Sequence, residues 1–221
     1  MTGAEGAAEG PLVFVHVPKT AGTSFREALE LKLGAAAIAG DYGPKASETS
    51  PLVRRHVFEK PDLPLLREEL IAAGVRIVCG HVPVQRYAAS FGTQNLLVIV
   101  RDPVQRLVSE YEHFRRHNGE ARPFPEVYRS DRFINHQYKL VSAIEPSEYG
   151  FIGLTERYAE TVAAANRRFG WKLPVLTSNV GRPSLGIAYQ IDPDMEAEVR
   201  ELNRDDIDYY ERMVTEFERR Q

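Results

Sequence analysis

The chain has 221 residues, of which 43% are hydrophobic and 27% are charged, and its formal net charge is −3 at pH 7. It is long enough for one sizeable core, and the near balance of charges, without a long block of one sign, argues against a strongly basic nucleic-acid-binding protein. The only cysteine, Cys79, excludes an internal disulfide framework and is consistent with a reducing compartment.

The N-terminal residues show no targeting pattern. Residues 1–10 carry neither a basic n-region nor an apolar core, and no run of the chain approaches the roughly 20 apolar residues of a membrane span. We therefore expect a disordered tail over residues 1–10, one domain over residues 11–221, no membrane span and a cytoplasmic location.

Apolar runs rich in valine and isoleucine, at residues 12–17, 75–80 and 95–100, predict buried strands. Runs that are apolar on consecutive positions are typical of parallel strands covered by helices on both faces. One helical pattern follows the first run and stops at Gly34, and another starts at Pro64 and leads into the second run. This alternation predicts a doubly wound α/β fold, in three layers with a central, mostly parallel sheet flanked by helices.

The pattern becomes mainly helical beyond residue 100. Pro103 fits the first turn of a helix with one apolar side, and further helical stripes recur over residues 154–169 and 207–217. We expect a helix-rich C-terminal half in which these stripes pack in the core. Residues 34–60 are rich in turn formers, and we predict that they loop over one face of the sheet.

The first run ends in the segment "PKTAGTS", residues 18–24. A strand, a tight turn and a helix form a P-loop-like anion site, because the helix N-terminus offers unpaired N–H groups and a partial positive charge. Gly22 would relax the turn, Lys19 would add a point charge, and the backbone N–H groups of the turn would face the anion. The alternative is that Ser24 only caps the helix and that Lys19 is a solvated loop residue.

The position of Lys19 separates two classes of anion site. A Walker A loop has its lysine directly after the last glycine, followed by a hydroxyl residue that binds magnesium. Lys19 lies before Gly22, and the chain contains no Gly-Lys-Ser or Gly-Lys-Thr. This disfavours a nucleotide or sugar kinase, which remains the main competitor for such an architecture.

A second motif, "RDPVQRLVSEYEHFR", follows the third apolar run. Arg101 leaves that strand at its carboxyl end, the edge where open α/β sheets bind ligands. Ser109 and Arg106 share a face of the following helix, so a second phosphate-sized anion could lie between Arg101 and Ser109. The alternative is that Arg101 pairs with Asp102 or Glu110 at the surface.

Together the two motifs resemble those of a known family. "HVPKTAGTS" is similar to the loop that binds the 5′-phosphosulfate in sulfotransferases that use 3′-phosphoadenosine 5′-phosphosulfate (PAPS), and "RDPVQRLVSEYEHFR" is similar to their 3′-phosphate segment. The resemblance is strongest to carbohydrate sulfotransferases related to heparan sulfate 2-O-sulfotransferase. Further similar segments follow in matching order: "CGHV", "INHQYKL", "FIGLTERYAETV" and "DIDYYERMVTEF".

The resemblance implies a role for each residue of the two motifs. Lys19 would stabilise the charge that develops on the departing phosphate, and Arg101 and Ser109 would hold the 3′-phosphate that distinguishes PAPS from ordinary adenylates. PAPS would be the donor and 3′,5′-adenosine bisphosphate (PAP) the product, without a metal. The other residues of the 5′ cradle would be Thr20, Gly22, Thr23 and Ser24.

His81 is the predicted general base. It follows a buried strand, so it should emerge at the same sheet edge as Lys19 and Arg101, and imidazole titrates near neutral pH. It also falls on the histidine of the family's G-H-V segment, which deprotonates the acceptor hydroxyl. Heparan sulfate 2-O-sulfotransferase has a second histidine two positions earlier, where this chain has Cys79.

Other candidate residues carry weaker signals. His16 could line the acceptor side or simply end the first strand, and Arg182 could reach the 3′-phosphate from a late loop or be solvated. His113 and His117 are one helical turn apart, a spacing that can chelate a metal, but no third ligand is evident and we interpret them as a solvated face.

The resemblance implies a hydroxyl-bearing acceptor, a saccharide or glycoconjugate, and no nucleic-acid partner. Residues 34–60, Gln85 and Arg86 are expected near it. Because family members that act on animal glycosaminoglycans are anchored in the Golgi, we expect a cytoplasmic enzyme of bacterial type with a smaller acceptor, unless an anchor was trimmed. A non-catalytic anion-binding domain of the same fold is the remaining alternative.

Overall fold

The computed structural model describes residues 10–176 and 188–221. Its centre is a five-stranded sheet in the order β2-β3-β1-β4-β5, in which every neighbouring pair is parallel. The predicted α/β fold is thus confirmed, and all but Gly10 of the predicted tail lies outside the described residues. The strands are β1 (Leu12–Val15), β2 (Ile38–Asp41), β3 (Ile77–Gly80), β4 (Leu96–Val100) and β5 (Phe151–Leu154).

Helices surround the sheet, as the sequence predicted. Those before residue 100 are α1 (Gly22–Leu33), α2 (Pro51–Val53), α3 (Leu63–Ala72) and α4 (Gln85–Phe91). Those after it are α5 (Pro103–His117), α6 (Phe124–Tyr128), α7 (His136–Val141), α8 (Tyr158–Phe169), α9 (Pro193–Leu202) and α10 (Arg204–Arg219). No described helix is long and apolar enough to cross a membrane.

The strands are apolar on both faces because each face is covered. Val13 and Val15 point to the side where α3, α4 and α10 pack, and Phe14 points to the side where α1 and α8 pack. Since alternate residues of a strand face opposite sides, a continuous apolar run is what two buried faces require. These clusters form the three layers of helix, sheet and helix.

Helix α5 starts directly after β4 and sets one wall of the carboxyl edge. The Asp102 side chain accepts a hydrogen bond from the Gln105 N–H at 2.9 Å, and Pro103 occupies the first helical position, as predicted. The apolar side of α5 packs with α6 and α9 around Val104 and Leu107. Because this cluster packs against one side of α5, the opposite side of the helix faces the carboxyl edge of the sheet.

Residues 34–60 are more structured than the prediction of a loop. They contain β2, the short helix α2 and a π-helical segment over Arg54–Glu59. β2 is an edge strand of only four residues that includes Gly40, so its sequence carries too little apolar alternation to be recognised. Its place in the sheet depends on pairing with β3, which local sequence does not encode.

The helical stripe predicted over residues 154–169 begins too early. Leu154 is the last residue of β5, and the helix α8 starts at Tyr158. The spacing from Leu154 to Tyr158 matches a helical turn by coincidence, because both residues are buried from different elements. The last stripe is confirmed as core packing by α10, where Phe217 is buried.

The carboxyl ends of the parallel strands meet at one edge of the sheet. β3 and β4 follow one another in sequence but lie on opposite sides of β1, which makes β1 the switch point where open α/β sheets bind ligands. The strand ends also lie close together: a Cβ at Gly80 would be 1.8 Å from the Asp41 carbonyl oxygen. Three predicted residues follow directly from these ends, His16 after β1, His81 after β3 and Arg101 after β4.

Candidate active site

The loop from β1 to α1 is shaped by two left-handed residues. Lys19 has a φ of 69° and Ala21 a φ of 62°, a region that non-glycine residues seldom adopt. The Thr20 hydroxyl donates a hydrogen bond to the Val17 carbonyl at 2.9 Å, which closes the loop on itself. The two left-handed residues cost conformational free energy, which the surrounding structure must offset. Such strained backbone residues are found most often at binding sites.

The N-terminus of α1 carries no side-chain cap among the described residues. Ala21 occupies the cap position, and its left-handed conformation turns the chain into the helix that starts at Gly22. The alternative that Ser24 caps the helix is therefore wrong, since Ser24 is already the third helical residue. The N–H groups of the first turn, together with the helix dipole, are suited to an anion, and the anion site itself stays a prediction.

Gly22 has a different structural role from the predicted one. It is helical, and the left-handed positions of the turn are its neighbours Lys19 and Ala21. A Cβ at Gly22 would lie 2.0 Å from Cδ2 and 2.3 Å from Nε2 of the His16 ring. The absence of a side chain at Gly22 therefore allows the buried His16 ring to pack directly against the start of α1.

We expect Gly22→Ala to lower the free energy of unfolding by about 1–3 kcal/mol, because the new methyl group must displace the His16 ring from a packed position. Urea denaturation would measure the change. Leu31→Ala, at an exposed position of the same helix, is the control and should change stability by less than about 0.5 kcal/mol. Equal effects of the two substitutions would contradict this account of Gly22.

Lys19 lies half-buried and faces α5. Desolvation lowers its pKa, and the positive charges of Arg116 and Arg101 act in the same direction, while the carboxylate of Glu110 opposes them. The alternative of a fully solvated loop residue does not fit this environment. Lys19 is instead a cation at the mouth of the anion site, where added negative charge would relieve the repulsion among the basic groups.

His81 is oriented by a backbone carbonyl. Its Nδ1 lies 2.6 Å from the His16 carbonyl oxygen, and because that oxygen can only accept, Nδ1 must carry the proton. The lone pair of the neutral ring is therefore on Nε2. The side chain is exposed at the surface on one side, yet desolvation lowers its pKa, with the hydrogen bond to His16 and the charge of Glu110 acting the other way.

A cluster of rings surrounds His81. The rings of His81 and His16 are 4.5 Å apart, and the Tyr42 ring lies edge-on to His81 at 5.1 Å. Burial lowers the pKa of His16 well below its usual value, so this ring is neutral at pH 7. Tyr42, which directly follows β2, thus contributes to the candidate site, although no sequence motif pointed to it.

Cys79 is not a second base. It is fully buried in β3, its Sγ lies 3.5 Å from the Tyr42 hydroxyl, and burial raises its pKa to about 12. The thiol is therefore protonated at neutral pH and cannot substitute for a histidine in proton transfer. Its contact with Tyr42 supports the ring cluster instead.

Arg101 joins the two predicted motifs. Its guanidinium donates to the Lys19 carbonyl at 3.1 Å, lies 3.9 Å from the Glu156 carboxylate and covers the Tyr189 ring at 5.6 Å. Arg101 does not form the alternative ion pairs with Asp102 or Glu110. Glu110 pairs with Arg106, and the Asp102 carboxylate lies 3.7 Å from the Arg200 guanidinium. Arg101 is nearly buried, so its charge is directed into the site and not to bulk solvent.

Arg106 and Ser109 occupy different environments on α5. Arg106 is buried and donates to Glu110 at 2.5 Å, so it serves an internal ion pair. Ser109 is buried beside it, and its hydroxyl makes no hydrogen bond within the described residues. Ser109 is thus available to a ligand, whereas Arg106 is not.

The two histidines near the end of α5 lie close to Lys19. The rings of His113 and His117 are 4.7 Å apart, and desolvation lowers the pKa of His113, with the charge of Lys19 adding to the effect. His117 is exposed, as predicted for a solvated face, whereas His113 is half-buried. In the part of the chain that the structure describes, no group of three or more His, Cys, Asp or Glu side chains is arranged to hold a metal ion.

Comparison with known protein families identifies the family of this chain. The family described as "Sulfotransferase family" matches residues 7–211. The chain belongs to the sulfotransferase family. The predicted reaction class is therefore confirmed: the protein is a sulfotransferase, and the match spans the loop of Lys19, the strand end of His81 and the motif of Arg101.

A solved structure supports the sulfotransferase fold. The crystal structure of a sulfotransferase from Alicyclobacillus acidocaldarius is similar over 94% of this chain and 96% of that chain, with 17% sequence identity and a TM-score of 0.51. At this identity the similarity concerns the fold alone. No curated protein matches this chain in sequence. The resemblance to heparan sulfate 2-O-sulfotransferase stays a prediction.

Some residues of the sulfotransferase site could not be found from sequence. Glu110, Gln137 and Tyr189 act through contacts with Lys19, Arg106 or Arg101 that join distant parts of the chain. Two of these residues had a signal in the sequence, although their contacts did not: Glu110 is four residues from Arg106 on one helix, and Gln137 lies in the segment "INHQYKL" that resembles the family. Arg182, a weak candidate for the 3′-phosphate, lies outside the described residues.

Proposed function

We propose that this sulfotransferase moves a sulfuryl group from PAPS to a hydroxyl of an acceptor, a saccharide or glycoconjugate, with His81 as general base. The observation that carries the proposal is the direct contact between the two motifs. The Arg101 guanidinium donates to the carbonyl of Lys19, and His81 is bonded to the neighbouring loop residue His16. The proposed anion site at the start of α1, the guanidinium of Arg101 and the imidazole of His81 therefore lie together at the carboxyl end of β1.

The described residues fit PAPS. The uncapped N-terminus of α1 and the Lys19 cation are suited to a 5′-phosphosulfate, with Thr20, Gly22, Thr23 and Ser24 around it. Arg101 and the Ser109 hydroxyl, which makes no hydrogen bond within residues 10–176 and 188–221, are suited to a 3′-phosphate. When bound, PAPS supplies an activated sulfuryl group and a stable phosphate leaving group.

The proposed reaction divides the work between two residues. His81 accepts the proton of the acceptor hydroxyl at Nε2, the nitrogen that the His16 carbonyl leaves unprotonated. Lys19 stabilises the negative charge that develops on the leaving phosphate oxygen, as the desolvated cation nearest the anion site. No residue needs to form a covalent intermediate, since an in-line displacement completes the transfer.

The acceptor would enter from the side of β2 and β3. Asp41, at the end of β2, is buried and accepts hydrogen bonds from Arg86 at 2.7 Å and from the Tyr87 hydroxyl at 2.8 Å. The Arg86 guanidinium also lies 5.3 Å from the Phe58 ring centroid. Arg86, which Asp41 holds beside the Phe58 ring, is partly exposed and is suited to a sugar. We propose that residues 11–221 form the single domain that contains both halves of the site.

The nucleotide assignment is tested by Arg101→Ala. We expect the affinity for PAP to fall about thirtyfold, because a charge-assisted contact with the 3′-phosphate is lost, while the affinity for adenosine 5′-monophosphate changes little. Isothermal titration calorimetry with both nucleotides measures the difference. Equal losses for the two would contradict the clamp, and magnesium-dependent ATP turnover by the wild type would favour a kinase.

The base assignment predicts a definite pH dependence. The folded-state pKa of His81 is lowered from 6.5, so the ring is neutral at pH 7 and becomes protonated only as the pH falls through that lowered value. We expect kcat to be constant near neutral pH and to decline on the acid side with an apparent pKa below 6.5. Thermal stability followed over the same range would separate this loss from unfolding caused by protonation of His16. An apparent pKa above 6.5 would contradict the assignment.

A further inference from the structure

Gln137, near the start of α7, binds the main chain of Arg101. Its Oε1 accepts a hydrogen bond from the Arg101 N–H at 3.0 Å, and its Nε2 donates to the Arg101 carbonyl at 3.0 Å. Both backbone groups lie just beyond the last residue of β4 and are buried, so each needs a partner. The side-chain amide of Gln137 therefore takes the place of a neighbouring strand and fixes the plane of the main chain at Arg101.

Asp206 of α10 determines which way the Gln137 amide points. Its carboxylate accepts from the Gln137 Nε2 at 3.1 Å and from the Gln137 backbone N–H at 3.2 Å. An ionised carboxylate can only accept, so the amide nitrogen must face Asp206 and the amide oxygen must face the Arg101 N–H. Burial raises the pKa of Asp206 to about 6, against the opposing effect of the Arg106 charge, so the carboxylate is still mainly ionised above pH 7.

A second glutamine holds the other side of Arg101. Gln105 on α5 donates from Nε2 to the Tyr189 carbonyl at 3.2 Å, and its Oε1 accepts from the Tyr189 N–H at 2.6 Å. The ring of Tyr189 lies against the Arg101 guanidinium. Gln105 thus fixes the position of the aromatic surface on which the guanidinium rests.

We propose that Gln137 and Gln105 are positioning residues for Arg101, and that together they set the preference of the enzyme for a nucleotide with a 3′-phosphate. The guanidinium is at the end of a long side chain, so a small rotation of the main chain at Arg101 moves it by a larger distance. Paired hydrogen bonds from a guanidinium to a phosphate demand a defined geometry. The inference rests on the proposed function, in which Arg101 holds that phosphate.

The test compares PAP with adenosine 5′-monophosphate by isothermal titration calorimetry on the full chain. In Gln137→Met, which keeps the volume and removes the amide, we expect the affinity for PAP to fall about tenfold more than that for the monophosphate. Gln94→Met is the matched control. It is the same substitution at an exposed glutamine that precedes β4, at the end of the strand away from Arg101, so the PAP preference of this variant should stay that of the wild type.

The outcomes separate this inference from the proposed function. A wild type that binds both nucleotides equally would refute the 3′-phosphate assignment itself. A wild type that prefers PAP, with the preference unchanged in Gln137→Met, would overturn only the positioning role. If Gln137→Met does not fold, Gln105→Met decides the matter, because Gln105 is only half-buried: a selective loss of PAP affinity supports the role, and an unchanged preference overturns it.

Discussion

Replacing His81 with alanine is expected to lower kcat by about a hundredfold or more while the affinity for PAP stays unchanged. In the proposed reaction, the histidine side chain removes the proton from the acceptor hydroxyl and takes no part in binding the nucleotide. Its Nε2 is the only ring nitrogen available for this step, since Nδ1 is bonded to the His16 carbonyl at 2.6 Å. Steady-state turnover with a saturating acceptor and calorimetric PAP binding would measure the two quantities separately.

His81→Asn provides the matched comparison. The asparagine amide can still donate to the His16 carbonyl, so the loop contact is retained, but it cannot act as a base at neutral pH. We expect it to be as inactive as the alanine variant. Turnover near the wild-type level in either variant would remove His81 from the reaction, and activity retained only in His81→Asn would show that the residue acts by holding the loop.

Replacing Lys19 with methionine is expected to lower kcat by about 10²–10³, because the variant lacks the cation that, in the proposed reaction, stabilises charge on the leaving phosphate. Methionine is chosen since it has nearly the same length and no branching, so the left-handed conformation at φ 69° is strained no further. The measured quantity is the rate of a single turnover with PAPS, which reports the transfer step without product release.

A lysine far from the anion site controls for the general loss of charge. Lys32 is exposed in the last turn of α1, and Lys32→Met should turn over at the wild-type rate. If Lys19→Met weakened PAPS binding without slowing the single turnover, Lys19 would be a binding residue and not a catalytic one. Equal rates in the two variants would contradict any role in the reaction.

The strands that build the site could be predicted because they are buried on both faces. β1, β3 and β4 are central and read as continuous apolar runs. β2 and β5 were missed since both are four-residue edge strands: β2 includes Gly40 among turn formers, and Leu154 of β5 has a helical spacing to Tyr158. In these cases sheet pairing, which is non-local, overrode the local pattern.

The candidate site was predictable to the extent that its residues follow strand ends. Lys19, His81 and Arg101 come shortly after β1, β3 and β4, and parallel strands bring these positions to one edge. The environment of each residue was not predictable. The ring of Tyr42 beside His81 and the amide of Gln137 on Arg101 depend on tertiary packing between segments far apart in the chain.

The order of the sheet has a consequence for the evolution of such an enzyme. In the proposed site, the groups for the nucleotide lie toward β4 and α5, whereas Tyr42, Asp41 and Arg86 lie toward β2 and β3, on the other side of β1. In the proposed site, substitutions in residues 43–60 are therefore expected to alter the acceptor side more than the nucleotide side, whereas Tyr42 contacts His16 and His81. Homologues can therefore differ in their acceptors through changes at one edge of the sheet while the donor site stays the same. Exchanging that segment between homologues is a direct way to change the acceptor.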